Sequence, residues 1–170
     1  MNDLSDFSKF LTDEELAKVA PMLERLSTLD KRSEKHDNFM SFVKHVWPQF
    51  IEGRHHKIYA QKLQDVADGK LKRLIINMPP RHTKSEFASY LFPTWLMGRR
   101  PDLKIIQATH TAELAVGFGR KIKNLIESED FKDVFPDVSL ATDAKASGRW
   151  STNGGGEYYA VGVGGALAGR

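Results

Sequence analysis

The chain has 170 residues, long enough for one domain, and 41% of them are hydrophobic, enough to supply a core. It has no cysteine, which excludes disulfides and thiolate-held metals, and no apolar run of membrane-spanning length. Twenty-five Lys and Arg against 22 Asp and Glu give a net charge of +3, compatible with a nucleic-acid partner without requiring one.

The N-terminus, Met1-Asn2-Asp3-Leu4-Ser5-Asp6, lacks the basic-then-apolar order of a signal peptide, so a soluble, intracellular protein without a membrane partner is expected. The first element predicted is a helix over residues 12–29. Thr12 and Glu15 have the spacing of a capping box, and Leu16, Val19, Leu23 and Leu26 recur at helical intervals. Residues 30–37 are charged and read as a linker. A short helix over 39–46 stops at Trp47-Pro48, and a third runs over 55–68 with Gly69 as its C′ residue.

From Leu71 the pattern becomes α/β. A strand leads into a compact loop and a helix from Lys84, which Pro93 kinks or ends. A second strand over 103–108 feeds a helix over 111–127, with Leu114, Phe118, Ile122 and Leu125 as its core-facing stripe. Strand, helix, strand, helix argues for a parallel sheet. Two further strands, 148–152 and 157–163, joined by Asn153-Gly154-Gly155-Gly156, read as a hairpin. Trp47, Trp95 and Trp150 adjoin apolar stripes or strands and are assigned to the core.

The loop after the first strand carries the chemistry. Leu74-Ile75-Ile76-Asn77-Met78 runs directly into Pro79-Pro80-Arg81-His82-Thr83-Lys84-Ser85. At a helix start, backbone N–H groups and the helix dipole favour an anion; a lysine can reach β and γ phosphates, and a serine hydroxyl can ligate Mg²⁺. The glycines of the G-x-x-x-x-G-K-[ST] pattern are replaced by Met78 and Thr83. A β-branched residue adopts positive φ only at a cost, so right-handed or extended torsions are expected at Thr83. The alternative is a strand, a Pro-Pro turn and a solvated helix end with no ligand.

The flanks carry a resemblance. Met78-Pro79-Pro80-Arg81-His82-Thr83-Lys84-Ser85-Glu86-Phe87-Ala88, then Leu91-Phe92-Pro93-Thr94-Trp95, resembles the deviant Walker A segment of the large subunit of tailed-phage terminases. Ile105-Ile106-Gln107-Ala108-Thr109-His110-Thr111, Phe118-Gly119-Arg120, Val134-Phe135-Pro136-Asp137, Trp150-Ser151-Thr152-Asn153 and the closing glycine-rich stretch through Arg170 follow in order. Upstream, the stretch from Phe39 to Trp47 and Gly53-Arg54-His55-His56 fit as well. The resemblance covers about residues 36–170, and its specificity lies in the ordered set.

The resemblance implies an α/β fold, a P-loop NTPase of the ASCE/RecA-like type whose parallel sheet is flanked by helices, over residues 36–170. Residues 1–35 would form an acidic helical segment ahead of it. It further implies ATP and Mg²⁺ as cofactors, with Pro80, Arg81, His82, Thr83, Lys84 and Ser85 around the phosphates and Ser85 on the metal. Arg81 would sense or stabilise the γ-phosphate, and its alternative is a surface arginine. His56, or its neighbour His55, would contact adenine, against the alternative of capping and packing roles. Arg170 would act across a subunit interface, or else is a plain charged terminus. Arg120, Lys121 and Lys123 would touch DNA phosphates, or form a solvated face.

The two acidic residues that hold Mg²⁺ through water and orient the attacking water in this lineage follow the segment ending at Arg170, and the nuclease domain follows them. The chain is therefore expected to be an N-terminal, truncated part, inactive alone. The whole protein would be an ATPase motor that packages double-stranded DNA into procapsids in the host cytoplasm. Its partners would be the portal protein, the terminase small subunit and further copies in a ring. Two rival readings remain: another helicase-like P-loop ATPase acting on nucleic acid, and a catalytically inactive remnant.

Overall fold

Helix α1 (Asp13–Asp37) opens on the capping box the sequence predicts: the Thr12 amide donates to Glu15 Oε2 at 3.0 Å, and the Glu15 amide to Thr12 Oγ1 at 3.4 Å. The structure, a computed structural model, describes residues 12–142 and 146–165. Contacts divide the chain into two units, Met1–Glu34 and Lys35–Arg170. The Thr12 amide and hydroxyl hold the Glu15 carboxyl below its usual range. The helix continues through 30–37, where the charged run predicts a linker. That run contains no glycine or proline, so nothing in it breaks a helix, and charge alone is compatible with a solvated one.

In the second unit, α2 (Phe39–Val46) is capped by Asn38, whose Oδ1 accepts the Ser41 amide at 2.9 Å, and it stops before Pro48 as expected. Helix α3 (Arg54–Ala67) ends on Gly69, whose φ of +73° gives the left-handed exit a C′ glycine provides. Gln64 fastens the two helices: its Oε1 accepts the Phe39 amide and its Nε2 donates to the Asp37 carbonyl, both at 3.0 Å. The core grows from there. Phe39 meets Phe87, Phe92 and Trp95 at ring separations of 5.7, 5.5 and 5.4 Å. Trp95 and Trp150 are buried and Trp47 packs half-buried against the same core.

Residues 74–78 form no regular secondary structure and join no ladder among the described residues. This corrects the strand expected there. Leu74, Ile76 and Met78 lean on the core while Ile75 is 88% exposed, so the period-2 pattern is present without a backbone partner. The helix begins at Lys84, as expected, then widens into a π turn (Glu86–Leu91) before α4 (Phe92–Arg99). Pro93 has no N–H to give and its ring would crowd the preceding turn of an α-helix. The Phe92 amide instead reaches the Phe87 carbonyl, and the wider turn absorbs the proline.

The sheet has three strands: β1 (Lys104–Thr109), β2 (Arg149–Ser151) and β3 (Glu157–Gly162), in the order β1-β3-β2. β1 and β3 are parallel, with Gln107 opposite Ala160; β2 and β3 form the antiparallel hairpin read from the sequence, with Trp150 opposite Tyr158. Between β1 and β3 lie α5 (Ala112–Glu127) and α6 (Glu129–Val134). The buried face of α5 is Ala115, Gly119, Ile122, Leu125 and Ile126; Leu114 is half exposed and Phe118 only partly covered, so the expected stripe is rotated. Gly119 sets the rotation. A Cβ there would stand 2.5 Å from the Ser147 carbonyl and 2.7 Å from the Tyr158 ring. The architecture is mixed α/β, a small mixed sheet flanked by helices, and among the described residues no helix is long and apolar enough to cross a membrane.

Candidate functional site

The loop 79–83 joins the apolar 74–78 segment to the helix at Lys84. Two of its residues are left-handed without being glycine: Arg81 at φ +63° and Thr83 at φ +58°. For Thr83 this overturns the right-handed or extended torsion expected from its β-branched side chain. A left-handed residue followed by helical ones turns successive N–H groups toward one side, the concave nest that receives anions. Thr83 also starts the helix, its carbonyl accepting the Phe87 amide at 3.0 Å. The first-turn N–H groups of such a helix have no intrahelical acceptor.

The loop is held from α3. His56 Nδ1 accepts the Gly53 amide at 2.9 Å, and His56 Nε2 lies 2.8 Å from Thr83 Oγ1, whose own hydrogen goes to the His82 carbonyl at 2.7 Å. One helical turn on, the Tyr59 hydroxyl donates to the Lys84 carbonyl at 2.9 Å. Burial pushes the Tyr59 phenol up to about 12. His56 is buried, and that burial first, then the neighbouring His55 and His82, lowers its pKa while Glu52 opposes. The sequence reading placed His56 toward adenine; both of its ring nitrogens are engaged inside the chain.

Lys84 projects its Nζ to the Met78 carbonyl at 3.4 Å, across the mouth of a cavity of about 460 Å³ lined by Pro79, Pro80, Arg81, Thr83, Lys84, Ser85 and Glu86. Arg81, His82 and Ser85 are exposed. His82 Nδ1 donates to the Pro80 carbonyl at 2.9 Å, and the His55 ring lies tilted against that of His56, their centres 3.8 Å apart. Among the described residues no group of three or more His, Asp or Glu could hold a metal.

Glu86 forms the far wall and pairs with Lys121 of α5 at 2.9 Å. Behind that pair lies a second cavity of about 570 Å³ bounded by Thr111, Leu114 and Phe118. The two side chains displaced from the core face of α5 line it. Arg120 on α5 is exposed, whereas Lys121 is committed to Glu86. Arg170 lies outside the described residues.

Sequence reasoning brought Arg81, Thr83, Lys84 and Ser85 to one site, and the structure does place them together. It missed Tyr59 and the Gly53 amide. His56 and Tyr59 sit one turn apart on a helix, a spacing that puts them on one face, but nothing local says what that face meets. Comparison of the chain with family models, with curated proteins and with solved structures finds no match.

Proposed function

We propose that this chain is the nucleotide-binding part of a terminase large subunit, a P-loop ATPase of the RecA-like type acting in the motor that packages double-stranded viral DNA. The observation that carries the reading is the pair of left-handed, non-glycine residues at the entrance of the Lys84-Ser85 helix. Backbone strain of this kind persists where surroundings over-determine it, and it clusters at ligand clamps. The strained residues Arg81 and Thr83 line a cavity together with Lys84 and Ser85, and amides turned to it would receive an anion.

The residues fit ATP with Mg²⁺. Lys84 Nζ makes a long bond, 3.4 Å, to a neutral carbonyl, which a charged phosphate oxygen would outcompete. The exposed Ser85 hydroxyl would complete the coordination of a phosphate-bound Mg²⁺. The Arg81 guanidinium is exposed at the cavity rim and would spread charge on the terminal phosphate. ATP when bound supplies the phosphoryl group whose transfer drives the motor. Arg170 as a residue acting across subunits, the ring of copies, the portal protein and small subunit as partners, and the host cytoplasm belong to this same proposal. Toward DNA, Arg120 and its neighbours on α5 would give salt-sensitive binding without sequence preference.

Equilibrium binding of Mg–ATP tests the reading. Lys84→Ala should weaken it by about tenfold or more, the loss of one charge-assisted contact, with the unfolding midpoint unchanged. Equal affinity of parent and variant would overturn it.

A further inference from the structure

An amide N–H can only donate, so His56 Nδ1, bonded to the Gly53 amide at 2.9 Å, must be the unprotonated nitrogen of a neutral ring. The proton is then on Nε2, directed at Thr83 Oγ1 2.8 Å away. Thr83 Oγ1 accepts it and passes its own hydrogen to the His82 carbonyl at 2.7 Å. Along this run, from the Gly53 amide to the His82 carbonyl, each donor meets an acceptor. The ring cannot swing out: Phe50 meets it at 4.7 Å and Phe87 at 5.6 Å, and it is 7% exposed.

At its far end stands a residue that should not be left-handed. Phosphate loops carry glycine before the lysine, because glycine takes positive φ without a steric penalty. Here Thr83 takes φ +58° with a branched side chain. The same helix face secures the next residue too, through Tyr59 on the Lys84 carbonyl.

We infer that His56 is a positioning residue of the loop: its Nε2–H clamps the Thr83 hydroxyl and so holds the left-handed backbone that a glycine would adopt unaided. The inference rests on the reading of the loop as a phosphate site for its consequence, and on the hydrogen bonds alone for its structural part. Helix α3 thus acts as a splint that replaces the missing glycine. His56 affects anion affinity without touching the anion.

The test uses the whole chain, with two readouts. In the ligand-free protein, backbone NMR couplings and Cα and Cβ shifts at residue 83 report its φ. Titration with Mg–ATP reports affinity. His56→Phe keeps the ring volume and removes the bond; residue 83 should leave the left-handed region and ATP affinity should fall about tenfold. His56→Gln, which keeps an acceptor and a donor at similar separation, should restore both. In a Thr83→Gly background, His56→Phe should change affinity by less than about twofold, because glycine needs no clamp. Should His56→Phe unfold the chain, Thr83→Val removes the hydroxyl with His56 in place and should reproduce its effects.

A residue 83 that stays left-handed in both His56→Phe and Thr83→Val overturns the inference. So does an equal affinity loss in the threonine and glycine backgrounds, the mark of a residue that only fills the core. If residue 83 shifts as expected while even the parent fails to bind ATP, the clamp stands and the nucleotide reading falls.

Discussion

Holding a single non-glycine residue in the left-handed region costs about 1–2 kcal/mol, and the loop 79–83 does so twice, at Arg81 and Thr83. Whatever offsets that cost is worth perturbing, and His56 offers pH as the means. Its pKa is lowered, first by burial and then by His55 and His82, with Glu52 opposing. The unfolded chain therefore binds a proton at a higher pH than the folded one, and stability rises with pH across that interval. The contribution of neutral His56 is fully present above the ordinary imidazole value of 6.5 and is lost as the pH falls through the lower folded value. Denaturant midpoints measured between about pH 7 and pH 5 should decline in the parent and decline less in His56→Gln; parallel profiles would refute this. At this scale the helix start at Lys84 and Ser85 was legible, because a Pro-Pro turn after an apolar run marks the break before it. The torsion of Thr83 was not, because the side chain that sustains it lies 27 positions upstream.

Among elements, α5 shows how a correct helix can be read with the wrong face. Its limits follow from local chemistry: Thr111 caps it, its Oγ1 accepting the Leu114 amide at 3.2 Å, and Ser128 ends it. Weighting large apolar side chains selected Leu114 and Phe118 as inward. The sheet selected Ala115 and Gly119, since Tyr158 needs room to lie against the helix and to donate to Gln107 Oε1 at 2.8 Å. The demand comes from β3, so it leaves no trace within the helix itself. Two glycines in one helix give a controlled comparison. At Gly119 an added methyl meets a backbone carbonyl, and Gly119→Ala should destabilise by about 1–3 kcal/mol as overpacking does. At Gly117 nothing lies within 4 Å, and Gly117→Ala should stabilise by up to about 1 kcal/mol through helix propensity. Thermal unfolding would show opposite shifts, about 2–4 °C for each kcal/mol; shifts of the same sign would contradict the packing described.

For the whole molecule, the telling feature is that, among the described residues, α5 covers one face of the parallel β1–β3 pair, while the other is covered at Val161 but open along β1. Gln107 and Tyr158 point toward α5, so by alternation Ile106 and Ala108 point the other way. Ile106 is 55% exposed and Ala108 is exposed. Parallel strands normally have both faces covered. The 74–78 segment tells the same story: it has the apolar character of a buried strand, yet Ile75 is 88% exposed and no ladder reaches it among the described residues. Its apolarity was legible in the sequence, whereas pairing depends on which backbone lies alongside. Exposed aliphatic residues on β1, a strand at the edge of the three-stranded sheet, are a hazard for association. We therefore expect concentration-dependent self-association of this chain, and Ile106→Lys should suppress it. A lysine keeps its stem against the sheet and its charge in water, so the substitution should move the unfolding free energy by no more than about 1 kcal/mol. Light scattering across a dilution series measures the association, and denaturant unfolding measures the stability. If Ile106→Lys associates as readily as the parent, the uncovered face is not the surface that drives it. If it unfolds the chain, Ile106 is a core residue and the face described here is covered.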